Sequence, residues 1–262
     1  MLKTRVITAF FLIVIFGAAA YYLSTNHWNL LMLAVVAVAA WEWARMSKFA
    51  MSLQIGYLSA IVAVGLFLMV VKPQWIPLFA TLTSIVALVF WVLLAPILLY
   101  TKKQIENKAL LALLGLAIIL PFGVAMMVLR WIAPDLLITL IIAVSIADSS
   151  AYFAGKNFGK HKLAPNISPG KTWEGVAGAF VGVGLYGLIV IMLTRNYSLI
   201  SALLVVTVFS IVGDLIESLF KRQAGVKDSS SLLPGHGGVL DRIDGLTASL
   251  PLALLIISSI GW

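Results

Sequence analysis

The chain has 262 residues, of which 62% are hydrophobic and only 11% charged, with a mean hydropathy of +1.07. A water-soluble domain carries about a quarter charged residues and could not hide this much apolar surface in one core, so lipid must solvate most of it. Cysteine is absent, which excludes disulfides, thiolate metal sites and a cysteine nucleophile. The net charge of +8 is dealt out in small groups between apolar runs rather than along one face or tail, a distribution that reads as membrane topology and not as nucleic-acid binding.

Apolar windows predict an all-α polytopic integral membrane protein of about nine transmembrane helices, with spans near 5–23, 28–45, 53–71, 75–99, 109–129, 135–154, 174–194, 199–220 and 245–261. Lys3, Arg5 and the apolar run ending in Ala18-Ala19-Ala20 mimic a secretory signal, but the run continues to Leu23, long enough for a retained first helix. The fourth span contains Pro77 and Pro96 and reads either as one kinked helix or as two shorter pieces. With the N-terminus in the cytoplasm and the C-terminus outside, 15 of the 18 Lys and Arg residues fall in cytoplasmic segments and only Lys72, Arg130 and Arg195 fall opposite. A miscounted helix would have scrambled that ratio. No soluble domain, linker or internal repeat interrupts the pattern.

Seven of the ten acidic residues lie at or after Asp148. They divide the chain into an N-terminal scaffold, 1–133, and a catalytic region, 134–262, with two cytoplasmic loops at 155–173 and 221–244. Asp148 and Asp214 each sit about six residues, or roughly 9 Å, inside the cytoplasmic end of a span. A carboxylate at that depth is costly unless it faces a polar cavity or a cation, so the pair predicts one shared cavity open to the cytoplasm. An interhelical salt bridge is the alternative for either residue. Asp214, Glu217 and Lys221 share a helix face, and Ser145, Asp148, Ser149 and Tyr152 form a similar stripe.

The first loop is basic and glycine-rich. Its end, Gly170-Lys171-Thr172, resembles the tail of a P-loop, but Pro165 stands where that pattern requires glycine. Thr172 is placed to cap the seventh span, with Glu174 in its first turn, and that helix start beside Lys171 reads as a phosphate site or as simple charge retention in the cytoplasm. Gly178 and Gly182 have the small-xxx-small spacing of close helix packing.

The last loop runs from Ser218 through Lys221, Arg222, Lys227, Asp228, Pro234, His236, Gly237, Gly238, Asp241 and Arg242 to Asp244. At these twelve positions the chain resembles the phosphatidate cytidylyltransferase (CDP-diacylglycerol synthase) family. The segments Ala147–Phe153 and Ser168–Glu174 look like that family too, and the resemblance covers roughly 145–250. It implies an enzyme of bacterial inner membranes that transfers CMP from CTP to phosphatidate, with Mg²⁺, and one or more metal ions, at Asp214 and Asp241. Catalysis would fall to Asp214, Asp241, Lys221, Arg222 and His236, the last orienting phosphate. Substrate binding would fall to Lys171, Lys227, Arg242, Gly237, Gly238, Asp148, Asp228 and Asp244. A homodimer is also implied.

The residues support the same chemistry on their own terms: the cations neutralise phosphates, glycines admit backbone close to a phosphate, and carboxylates are hard ligands for Mg²⁺. Asp241-x-x-Asp244 has a second reading as a cap of the ninth span, one that suits Asp244 better than Asp241. A secondary transporter would also bury carboxylates, and a lipid kinase using CTP would share metal and basic loop. The topology is open to direct test in a chain without cysteine: single cysteines at Lys103 and Lys160 should label only from the cytoplasmic side and one at Arg195 only from the other. Labelling of 103 and 195 from one side would refute nine spans.

Overall fold

A computed structural model describes residues 14–233, 235 and 237–259, so part of the first span, Pro234, His236 and the last residues lie outside it. It is a helical bundle: α1 (14–22), α2 (Thr25–Met46), α3 (Met51–Val70), α4 (Pro73–Thr101), α5 (Lys108–Ile132), α6 (Pro134–Phe158), α7 (Trp173–Thr194), α8 (Leu199–Ala224) and α9 (Leu240–Ser259). Among the described residues, the seven helices α2–α8 are long and apolar enough to cross a membrane.

The helix α9, with Asp241, Arg242 and Asp244 in its first turns, is not among them, and it lies inside the bundle. It packs against α8, α5, α4, α6 and α2, and most of its length, including Leu250, Leu252 and Leu254, is buried. A helix shielded from lipid by its neighbours tolerates Asp241, Arg242 and Asp244 in its first turns and Thr247 and Ser249 beyond, provided these find partners. The outer helix α7 is the opposite case, with Val181, Leu185, Ile189 and Leu193 all exposed on an apolar face turned away from the bundle.

The fourth span is one continuous helix that begins with a 3₁₀ turn at Pro73–Trp75 and widens to a π-helical stretch at Val89–Leu94. Pro96 explains the widening. It brings no N–H for the carbonyl of Val92, and its ring crowds that carbonyl in a regular turn.

The two loops take definite shapes. Residues 159–172 form an antiparallel hairpin, β1 (Lys162–Ala164) with β2 (Ser168–Thr172), pairing Lys162 with Thr172 and Ala164 with Ser168. Pro165 and Asn166 at its tip are turn residues. The second loop is shorter than 221–244, because α8 runs on to Ala224 and ends at Gly225, whose φ of +76° gives the left-handed cap.

Loops that the charge pattern places on one side do meet at one end of the bundle. Lys108 Nζ donates to the Ser47 carbonyl at 2.8 Å, Gln223 donates to the Lys103 carbonyl at 3.0 Å, and Arg222 reaches the Ile167 carbonyl at 3.4 Å. At the far end Arg130 binds the carbonyls of Ala20 and Leu23, terminating α1, while Tyr21 donates to Asp135.

Small residues set the spacing of the helices that carry acids. A Cβ on Gly178 or Gly182 would run into Ala154 or Ser150 of α6, as the glycine spacing implies. A Cβ on Gly213 would collide with the Asp244 carbonyl of α9, one residue from Asp214. Gly213→Ala should therefore lower the thermal unfolding midpoint in detergent, at a cost of about 1–3 kcal/mol for forced overpacking, outweighing the gain of about 1 kcal/mol in helix propensity. Gly184 faces open space, so Gly184→Ala should not lower the midpoint. Equal midpoints for the two variants would contradict the close α8–α9 crossing.

Candidate active site

The α6 and α8 stripes meet as the sequence predicts, on one cavity of about 690 Å³ at the end of the bundle where the basic loops gather. Asp148 enters from α6, Asp214 and Lys221 from α8, and Asp241, Arg242 and Asp244 from the start of α9. Lys171 and Lys162 come from the hairpin, and Asp228 from the last loop. The floor is apolar, with Ala151, Val176 and Ile211.

Two carboxylates share one arrangement. Asp214 accepts the Ser218 hydroxyl on Oδ1 (3.2 Å) and meets Lys171 Nζ on Oδ2 (2.6 Å). Asp241 accepts Ser229 N, Ser229 Oγ and Gly238 N on Oδ2, each at 2.8 Å, and meets Lys221 Nζ on Oδ1 at 2.6 Å. In each, protein donors hold one oxygen and an ammonium covers the other. Firmly held carboxylates of this kind make good ligands, because their orientation is fixed before a cation arrives. Asp214 thus does form a salt bridge, but with a lysine of the hairpin rather than the interhelical one of its alternative reading, whereas Asp148 has no cation within ion-pair distance among the described residues.

Negative charge exceeds what these lysines answer. Glu217 is buried, both its carboxylate oxygens lack a hydrogen-bond partner, and Lys221 lies 3.4 Å from one of them. Asp148, Asp214 and Asp244 lie near enough for their charges to repel. A low-dielectric cluster of carboxylates with one orphaned member fits a bound cation. Among the described residues no three such groups converge as a closed cage.

Asp244 does not cap α9. Its Oδ1 accepts the neighbouring Gly245 N at 2.7 Å, while the first free N–H groups of the helix turn elsewhere. Arg222 is directed at the Ile167 carbonyl and Lys227 is exposed, so neither predicted phosphate ligand lines the cavity. Gly237 and Gly238 also lie off its wall, and what they admit is protein. A Cβ on Gly237, at φ +80°, would lie 2.7 Å from Asp241 Oδ2, and one on Gly238 would strike Ser229 Oγ and the Glu42 carboxylate. His236 lies outside the described residues. Thr172 caps α7 as expected, its Oγ1 accepting Gly175 N–H at 3.1 Å, and Glu174 grips His161 through its N–H and ring, tying the hairpin to that helix.

Three residues escaped the sequence reading as site components. Lys156 and Lys162 line the cavity, and only their position in the basic loop hinted at it. Glu42, assigned to scaffold, reaches the last loop from α2. Its Oε1 accepts Ser230 Oγ (2.6 Å) and Val239 N (2.9 Å), and its Oε2 accepts Ser229 Oγ (3.1 Å) and Leu240 N (2.6 Å). The available signal was a carboxylate inside an apolar span, Trp41-Glu42-Trp43.

Residues 3–260 match the model of the cytidylyltransferase family. The chain is 42% identical to a phosphatidate cytidylyltransferase of Pseudomonas aeruginosa over 273 aligned residues, covering 100% of this chain and 99% of that one. A phosphatidate cytidylyltransferase of Haemophilus influenzae is 37% identical, with 96% of each chain covered. One of Staphylococcus aureus is 44% identical over 45% of this chain and 47% of its own. With five of the signature residues, Lys221, Asp228, Asp241, Arg242 and Asp244, lining its polar cavity, a family model matching residues 3–260 and similarity running the length of two such proteins, the chain belongs to the cytidylyltransferase family.

Proposed function

We propose that this chain is a phosphatidate cytidylyltransferase, transferring CMP from CTP to phosphatidate to give CDP-diacylglycerol and pyrophosphate. The observation that carries the reading is the cavity itself: five cations and five carboxylates on one wall system, at the polar end of an apolar bundle. A water-soluble triphosphate and a lipid phosphate can both reach such a place.

A phosphatidate oxygen attacks the α-phosphorus of CTP, forming the new P–O bond as the bond to the β-phosphate bridging oxygen breaks. A phosphomonoester has its second pKa near 6, so the nucleophile is largely ionised at pH 7 and needs no strong base. Lys156, Lys162, Lys171, Lys221 and Arg242 face the cavity and neutralise the phosphates. His236 orients phosphate. Asp214 Oδ2 and Asp241 Oδ1 are the oxygens that would hold Mg²⁺, with Asp148 and Asp244 beside them, and the ion when bound supplies charge neutralisation for the polyphosphate. Lys171 and Lys221, which now cover those two oxygens, would then be free to face phosphate. The rest is positioning, the usual division of labour in this chemistry.

The site faces the cytoplasm of a bacterial inner membrane in our reading, with nine spans, the N-terminus inside and the C-terminus outside. The charge ratio supports this, as does the gathering of the basic loops at the cavity end. A homodimer follows from the family resemblance.

Asp214→Asn and Asp241→Asn should each lower kcat by ~100-fold or more with the protein still folded, since each loses a charged ligand held by the protein. Asp244→Asn should also lose at least roughly tenfold, because Asp244 faces the cavity and caps nothing. Near-normal turnover in both Asp214→Asn and Asp241→Asn would remove the metal assignment.

The reaction class is decided by isotope. Purified protein with phosphatidate and Mg²⁺ should move label from α-³²P-CTP into a chloroform-soluble product, and γ label should appear only in pyrophosphate. A kinase reverses that pattern, and a transporter labels no lipid. EDTA should stop the transfer. Entry of γ label into lipid without α label would overturn the assignment.

A further inference from the structure

We propose that Glu42, on a helix of the N-terminal half, is a positioning residue for the transfer, acting through Ser229 on Asp241. The proposal rests on the cavity being the reaction site. Glu42 is 0% exposed, and no Lys or Arg lies within ion-pair distance of it among the described residues. Its charge is met by three donors of its own, the Ser230 hydroxyl and the N–H groups of Val239 and Leu240, and by a share of the one Ser229 hydroxyl proton, which Asp241 accepts at the shorter distance; all belong to the last loop and the start of α9.

Val239 and Leu240 carry N–H groups of the kind that every helix start leaves unsatisfied, at the positive end of the helix dipole. A serine or aspartate next to them in sequence would cap them with no deeply buried charge. Supplying the cap from α2 achieves what a local cap cannot: it fixes the start of α9 relative to another helix. The loop is shaped around that carboxylate. Ser229 and Ser230 both donate to it, and only glycine fits at 238, where a Cβ would strike Glu42 Oε1 and lie 2.7 Å from its Cδ.

Ser229 passes the constraint on. Its hydroxyl lies 3.1 Å from Glu42 Oε2 and 2.8 Å from Asp241 Oδ2, and its N–H also binds that Asp241 oxygen. The result leaves Asp241 Oδ1 facing Lys221 and the cavity. Glutamine cannot substitute, because either amide orientation points an NH₂ at a backbone N–H, Val239 or Leu240. Aspartate keeps the charge one methylene short.

The test uses the full chain with Ser231→Cys, on the exposed loop, as a reporter in an otherwise cysteine-free background. In that background kcat, the KM values for CTP and phosphatidate, the thiol labelling rate and the thermal midpoint in detergent are measured for Glu42→Gln and Glu42→Asp. Expected is a loss of about tenfold or more in kcat for Glu42→Gln, with KM values changed far less and faster labelling at 231, and Glu42→Asp intermediate in both. Parental kcat and labelling in folded Glu42→Gln overturn the proposal. So does a lowered midpoint whose folded fraction turns over at the parental kcat. Should Glu42→Gln fail to fold, Ser230→Ala removes one of the four bonds: a severalfold lower kcat with faster labelling supports the proposal, and parental values overturn it. Asp241→Asn separates the two readings. If it is inactive while the Glu42 variants are parental, only the positioning role fails; if it is active, the cavity assignment fails with it.

Discussion

A carboxylate carried into an apolar bundle must find donors or cations there, because water is not available to solvate it. The polar end of this protein is organised by that requirement. Glu42 meets it with two backbone N–H groups, the Ser230 hydroxyl and a Ser229 hydroxyl shared with Asp241, Asp241 also with the N–H groups of Ser229 and Gly238 and with Lys221, and Asp214 with Ser218 and Lys171. Each solution draws on a different part of the chain. Together they join α2, α8, the hairpin and the last loop around the first turn of α9.

The bundle is built so that α9 can carry charge. Its neighbours screen it from lipid, and Gly213 lets α8 approach it at the level of Asp214 and Asp244. Glycines of α7 do the same for α6, bringing the hairpin that follows α6 back beside Asp214 through Lys171. Close packing by small residues is how helices associate where lipid removes the hydrophobic driving force between them. Here that packing also decides which acids share a cavity.

Each of the carboxylates Asp214 and Asp241 is paired with a lysine at 2.6 Å, so charge at the cavity is matched locally. Glu217 is buried with no hydrogen bond to either oxygen, 3.4 Å from Lys221. For the cytidylyl transfer we propose, the protein then contributes mainly fixed charges and fixed distances, and the ionised lipid phosphate brings its own nucleophile.

Much of this was legible in the residues in order. Hydropathy alone calls for a lipid-solvated helical bundle, since no water-soluble core could hold 62% hydrophobic residues, and the depth of Asp148 and Asp214 in their spans calls for one shared polar cavity. The stretch from Ser218 to Asp244 identifies the family by pattern. What pattern could not supply was the partner of each group. Hydropathy measures the cost of burying a charge but not which distant donor offsets it, so Glu42 read as scaffold although it holds the loop 187 residues away. Arg222 and Lys227 read as phosphate ligands because charge is visible in sequence while side-chain direction is not. The capping role open to Asp244 fell to Glu42 for the same reason. A helix start is local, but the group that satisfies it is chosen by tertiary packing.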